Sequence, residues 1–180
     1  MAKLAAPVIV AAVLLGSAVG EKQCDVYETD AFEVIRRLPH TYAAFSTVDV
    51  DSSLLCTTAD LTYYNEEEGK LQYTLRTPGV GGAEKTESTL NYSKTKTPYL
   101  LTLVVNNDTA NPSTAESLYS DFETCSVFKI YGEQNKCIMW VARGSEDEIP
   151  DLCLRQFNCG CGPAVPLYIK HICKSAGERK

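Results

Sequence analysis

The sequence has little of what catalysis or metal binding requires. It holds two histidines in 180 residues. His40 follows a proline, and His171 sits just before the last cysteine. No nucleophile-elbow motif accompanies them, so a serine triad is not expected. No CxxC pair occurs. The closest cysteines are Cys159 and Cys161, and the histidines are far apart in sequence, so no zinc site is expected either. The segment GVGGAEKT at residues 79–86 has the composition of a phosphate loop. The spacing would need glycine where Glu84 stands, and the chain after Lys85 reads as strand. The run Glu66-Glu67-Glu68 lacks the alternating oxygens and loop glycine of a calcium site, and reads as a solvated turn. The expectation is no enzyme, no cofactor and no metal.

Long apolar runs and basic stripes are missing too. The most apolar segment, residues 4–15, is too short to span a bilayer and contains Pro7. Lys3 precedes it, and Ala18 and Gly20 stand at the small-residue places before Glu21. This is the pattern of a secretory signal peptide at residues 1–20. Residues 21–180 are then expected to form one exported domain, large enough for a core of its own. Without Lys3, sixteen of the seventeen Lys+Arg face twenty-three Asp+Glu, a formal charge of −7. Phosphate backbones and anionic membranes need concentrated positive charge, so neither is expected as a partner.

What the chain does have is cysteine. All eight lie beyond residue 20: Cys24, Cys56, Cys125, Cys137, Cys153, Cys159, Cys161 and Cys173. An even number in an exported chain reads as four disulfides, which leaves no thiol for nucleophilic chemistry. Asn91-Tyr-Ser and Asn107-Asp-Thr are glycosylation acceptors, which places Asn91 and Asn107 on the outside.

Residues 30–38 carry Phe32, Ile35 and Leu38 at helical spacing, with Asp30 as N-cap and Pro39 as the stop. Strands are expected at residues 41–50, 54–64, 70–76, 86–92 and 99–105. A loop is expected at 106–114, then a hairpin of residues 117–130 and 137–143. In residues 70–76, Leu71, Tyr73 and Leu75 alternate with polar residues. If Asn91 faces out, Ser88, Leu90 and Tyr92 face in. A second helix starts at Pro150 and is expected to stop at Gly160. Residues 166–173 form a short mixed tail. Many antiparallel strands between two helices argue for an up-and-down barrel.

Strand parity then sorts the hairpin. Cys125 and Cys137 share a face opposite to Ser126, Phe128, Ile130, Ile138 and Trp140. The bulky set is expected inside. The cysteines are expected outside, under the second helix, which brings Cys153 and either Cys159 or Cys161.

The segments CSVFKIYGEQNKCIMWV, IPDLCLRQFNCGC and YIKHICK, with DAF in the first helix and Cys56, resemble the tick salivary lipocalins, which include the tick histamine-binding proteins. The likeness covers residues 24–174 and is most specific over 119–173. It implies an eight-stranded lipocalin barrel with a helix at each end, and the bridges Cys56–Cys173 and Cys125–Cys153. Cys137 then pairs with Cys159 or Cys161, and Cys24 with the other. It also implies function by capture: a secreted, monomeric protein that sequesters a small host mediator. The mediators are amines such as histamine and serotonin, or lipids such as leukotrienes and thromboxane. Some members bind complement or other host proteins, so a barrel acting through its surface is the alternative.

The chain departs from the amine-binding pattern. Amine binders of that family carry acids directly after the first hairpin cysteine and two places before the tryptophan. Here Ser126 and Ile138 stand there. A buried ammonium without carboxylates is very costly. Asp49, or Asp51, is the remaining acid for a second amine site. The expected lining is Trp140, Phe128, Ser126, Ile138, Tyr73 and Tyr92, which suits an apolar or amphipathic ligand. Small barrels also fill with their own side chains, so each of these residues has a plain core reading beside it.

Overall fold

The computed structural model describes residues 24, 29–47, 54–81, 83–132 and 135–177. The leader at residues 1–20, and Asp49 and Asp51, lie outside the described residues. The first helix, α1 (Ala31–Arg37), starts at Asp30, whose Oδ1 accepts from the N–H groups of Phe32 and Glu33 at 3.0 and 3.1 Å. Two donors that have no partner within the helix are thereby satisfied. Phe32, Val34 and Ile35 are buried, while Arg36 and Arg37 stay outside on Glu33. Pro39 ends the helix and the chain enters the sheet.

Eight strands follow: β1 (His40–Ser46), β2 (Thr58–Asn65), β3 (Lys70–Thr77), β4 (Thr86–Lys94), β5 (Leu100–Val105), β6 (Ser113–Ser120), β7 (Cys125–Tyr131) and β8 (Lys136–Ala142). From β2 to β8 each pairs with the next, antiparallel throughout. β1 pairs with both β8 and β2, which closes the barrel. The seam is short. Only His40, Thr41 and Tyr42 pair with β2, and beyond them Phe45 and Ser46 pair instead with β9 (Val165–Pro166). Helix α2 (Asp151–Cys161) and helix α3 (Lys170–Gly177) lie outside the wall. Among the described residues no helix is long and apolar enough to cross a membrane.

Register fixes the faces. Ser126 is opposite Trp140 and Phe128 opposite Ile138, while Cys125 is opposite Val141 and Cys137 opposite Lys129. Directly paired residues share a face. The interior core gathers Phe32, Leu71, Tyr73, Tyr92, Leu101, Leu103 and Phe128, with Trp140, Leu90 and Ile130 packed against it. The exterior core gathers Cys125, Val127, Cys137, Met139 and Val141 against Cys153 and Phe157 of α2. The wall is therefore apolar on both faces wherever α2 covers it.

The bridges are Cys24–Cys159, Cys56–Cys173, Cys125–Cys153 and Cys137–Cys161. Two of them join β7 and β8 to α2. A third joins α3 to the residues before β2. Among the described residues no cysteine is free.

Several boundaries differ from the sequence expectation, each for a local reason. Residues 117–130 are not one strand. Asp121 Oδ1 accepts from the N–H groups of Glu123, Thr124 and Cys125, and Phe122 adopts a φ of 62°. That turn separates β6 from β7. Gly160 does not end α2. It lies inside the helix, where an added Cβ would sit 3.1 Å from Leu118, so glycine permits close packing there. Gly162, with φ 96°, is the C-cap. The expected mixed tail contains α3, which is anchored by Cys173 and buries Ala176.

Replacing Cys125 and Cys153 together by alanine is expected to lower unfolding free energy by about 2–4 kcal/mol, because the unfolded chain regains the closed loop. Guanidinium melts of the oxidised proteins measure this. An unchanged midpoint would mean that α2 is held by Phe157 and its neighbours alone.

Candidate functional site

The interior narrows onto α1. Ten residues line the space above it. Ile35 and Leu38 form the floor. Thr41, Ala59, Tyr73, Leu90 and Tyr92 come from β1 to β4. Ser126, Phe128 and Trp140 come from the β7–β8 hairpin. No lining residue is acidic or basic. The polar groups are hydroxyls and one indole N–H.

Tyr73 joins this lining to the plug below it. Its hydroxyl donates to the carbonyls of Ile35, at 3.0 Å, and Leu38, which closes the C-terminal end of α1. At the other end of the helix, the Ala31 N–H donates to the Pro98 carbonyl at 2.9 Å. The Thr29 and Ser117 hydroxyls share a hydrogen bond of 2.6 Å. Helix α1 is thus tied to the wall on both sides.

The enclosed free space is about 20 Å3, room for one water molecule. Side chains fill the rest. Phe128 and Tyr73 are buried, and Trp140 is half-buried beside Ser126.

Of the residues expected to line the interior, Trp140, Phe128, Ser126, Tyr73 and Tyr92 surround this space. Ile138 shares their face through its pairing with Phe128 but is not among the residues around this space. Asp49 lies outside the described residues. Ile35, Leu38, Thr41 and Ala59 were not anticipated. Thr41 and Ala59 pair directly across the β1–β2 seam, a contact that neither strand's own pattern reveals.

Asn91 faces outward but is half-buried. Its amide donates to the Val104 carbonyl and to Asn107 Oδ1, both at 3.3 Å, and accepts from Gln72 at 2.8 Å. Asn107 is exposed. The two acceptor asparagines are thus neighbours on the β4–β5 wall.

Burial raises the ionisation of Tyr73 and Tyr92 far above the ordinary phenol range, and does the same to Tyr42 on the outer face. A raised phenol stays neutral in the folded chain while the unfolded chain ionises near pH 10. Their contribution is complete below pH 10 and is lost as the pH rises above it. With three such groups, stability is expected to fall by about 4 kcal/mol per pH unit in strong alkali. Phenolate absorbance should therefore rise for these groups only together with loss of near-ultraviolet dichroism. Tyr73→Phe should lower stability by about 1–3 kcal/mol through the carbonyls it leaves unpaired. An unchanged melting curve would show that they find other donors.

The model of the tick histamine-binding protein family matches residues 27–175. Among solved structures, Japanin from Rhipicephalus appendiculatus bound to cholesterol is similar at 14% identity and a TM-score of 0.57. The alignment covers 73% of this chain and 92% of Japanin. The AM182 serotonin complex is similar at 16% identity and a TM-score of 0.59, over 83% of this chain and 97% of the other. At those identities both show the fold alone. No curated protein sequence matches the chain. The barrel, its two flanking helices and the family match agree, and the chain belongs to the tick histamine-binding protein family, lipocalins that are secreted to bind small molecules and not to catalyse.

Proposed function

We propose that this protein is a secreted salivary lipocalin that sequesters a small lipid mediator of the host, of leukotriene-like chemistry, inside the barrel. The observation that carries this reading is the chemistry of the lining. Phe128, Trp140, Leu90 and Ile35 offer apolar surface, and the hydroxyls of Tyr73, Tyr92, Ser126 and Thr41 offer neutral hydrogen bonds. A protonated amine in that space would lack a carboxylate, and an unpaired buried charge is costly. One similar structure is bound to cholesterol and the other to serotonin, so the barrel type admits either class. The residues at positions 126 and 138 favour the lipid.

Uptake needs room. Drug-sized ligands occupy roughly 300 Å3 or more, against the present free space of about 20 Å3. Half-buried Trp140 and Leu90 are the large lining side chains with the most freedom to move. A ligand would take over their contacts, which is selection of a more open state. The same small volume favours a second reading, a filled barrel that acts through its surface on a host protein.

Trp140 is the sole tryptophan, so intrinsic fluorescence reports on the interior. Titration with a leukotriene is expected to shift its emission, with a dissociation constant of about a micromolar or tighter. Trp140→Ala should weaken that binding by about tenfold, measured by calorimetry. Nanomolar histamine binding would overturn the lipid reading. Silence with both ligands, alongside a host protein captured by the intact barrel, would establish the second.

A further inference from the structure

The β1–β2 seam interrupts the outer wall at both of its ends. Past Tyr42, β1 leaves β2 for β9, and the Cys56–Cys173 bridge sets α3 across the shoulder that results. A cleft of about 660 Å3 lies there, lined by charged and apolar side chains. Arg76 in that lining already holds Asp60 at 2.8 Å and Glu87 at 3.0 Å, and Glu146 accepts from the Gly144 N–H at 3.1 Å. The other end is open in a different way. β1 begins at His40, opposite Asp60, and the Leu61 N–H turns to the Pro39 carbonyl at 2.8 Å. From Thr62 to Asn65, β2 keeps β3 on one side and has no strand on the other among the described residues. A free edge of this kind lets another chain lie alongside in extended form.

A bulge decides what stands on that edge. Ala59 and Leu61 belong to the interior core, and strict alternation would turn Tyr63 inward after them. Thr62 is the extra residue: Leu61 pairs with Tyr73, Tyr63 with Gln72 and Tyr64 with Leu71. The Thr62 hydroxyl holds the bulge, on the Gln72 carbonyl at 3.3 Å and the Thr74 hydroxyl at 3.1 Å. The two tyrosines are thereby exchanged. Tyr64 goes in, with its ring 5.3 Å from Phe32 and its hydroxyl donating to Glu66 at 3.1 Å. Tyr63 goes out, onto the face of Gln72 and Asn91. Its side chain is 47% exposed, and its hydroxyl makes no hydrogen bond among the described residues. The turn that follows carries Glu66, Glu67 and Glu68, all exposed. The fold itself makes no use of the Tyr63 hydroxyl.

We infer that Tyr63 is a site of tyrosine O-sulfation during export. Sulfotransferases of the secretory route select a phenol by the carboxylates close to it in sequence, and Asp60, Glu66, Glu67 and Glu68 all lie within five residues of Tyr63. The free edge of β2 gives such an enzyme an extended segment to hold. In the step, the Tyr63 oxygen attacks the sulfur of a phosphosulfate nucleotide. A new O–S bond forms, the bond from sulfur to the donor phosphate breaks, and the phenol proton passes to a base of the transferase. Nothing is oxidised or reduced. The sulfate ester adds one negative charge where water reaches it, so its repulsion with the glutamates is screened. At Tyr64 the same charge would press against Phe32 and lose that water, which is costly. The inference rests on export of the chain and is independent of lumenal capture, because neither tyrosine lines the interior space.

The test is mass spectrometry of the full chain secreted from insect cells, after enzymatic removal of any glycan. The peptide that holds Tyr63 and Tyr64 is expected to gain the mass of one SO3 group. Phosphate has nearly the same mass, so two controls separate them: a sulfate ester survives alkaline phosphatase, and it disappears when the cells grow in chlorate, which blocks synthesis of the donor. Tyr63→Phe should lose the gain entirely. Tyr64→Phe, which keeps the ring against Phe32, should retain it. The triple variant Glu66→Gln, Glu67→Gln, Glu68→Gln changes exposed side chains only and should lose most of it. Near-ultraviolet dichroism of each variant checks that the barrel is intact. In a second arm, the folded, oxidised protein is incubated with a tyrosylprotein sulfotransferase and a labelled phosphosulfate nucleotide, and label should enter the wild type and not Tyr63→Phe. A wild type unmodified in both arms overturns the inference. So does a gain that persists in Tyr63→Phe, one that vanishes in Tyr64→Phe, or one that phosphatase removes.

Discussion

The two-residue alternation of the β7–β8 hairpin is the constraint on which the rest of the structure depends. Ser126, Phe128, Ile138 and Trp140 reach the interior because Cys125 and Cys137 do not. The same parity delivers both sulfurs to α2, where Cys153 and Cys161 complete the bridges. A slip of one residue would exchange the faces. Trp140 would then meet Phe157 and the sulfurs would face the lumen. The disulfides therefore lock more than a helix. They lock the register that decides what lines the barrel.

Helix α1 completes the interior from below. Its apolar stripe is too short to be stable alone, since a helix of this length does not persist in water. The barrel supplies what it lacks: a bond from Ala31 to Pro98 at one end, and the Tyr73 hydroxyl on two carbonyls at the other. Tyr73 thus fills part of the lumen and also seals the plug. A ligand that displaced it would loosen α1 as well. Movement of Trp140 carries no such linked loss, because no described hydrogen bond holds its ring. The interior is therefore asymmetric, rigid on the β3 side and looser on the β8 side.

Much of this was legible in the sequence because the strands carry their burial in period two. The β3 residues Leu71, Tyr73 and Leu75 and the β4 residues Leu90 and Tyr92 read inward before any coordinates, and they sit inward. Asp30 announced its helix by its own chemistry. What stayed hidden depends on contacts between distant segments. Gly160 resembles a stop signal, yet its role is set by Leu118 on another element. Asp121 breaks β6 from β7 through three backbone bonds to one carboxylate oxygen, a local event with no periodic signature. Helix α3 is only eight residues long, too short for its apolar face of Ile172, Cys173 and Ala176 to read as a helix, and the Cys56 bridge holds it. Cys159 and Cys161, two places apart at a helix end, differ only in which way the helix turns them. Cys161 meets β8 and Cys159 meets Cys24.

The seam explains why two different spaces can exist in so small a barrel. A closed wall forces its interior to be either filled or emptied by ligand, and here it is filled. Opening it exposes core surface that must be covered again, so only an occupant with comparable apolar area can hold it open. Outside, no such exchange is required. The shoulder left where β1 departs from β2 is spanned by the Cys56–Cys173 covalent link, which holds α3 across it. The interior is therefore apolar and filled, whereas the seam is lined by charged and polar side chains as well as apolar ones. One chain can hold both surfaces because register separates the faces of its wall and disulfides keep them separate.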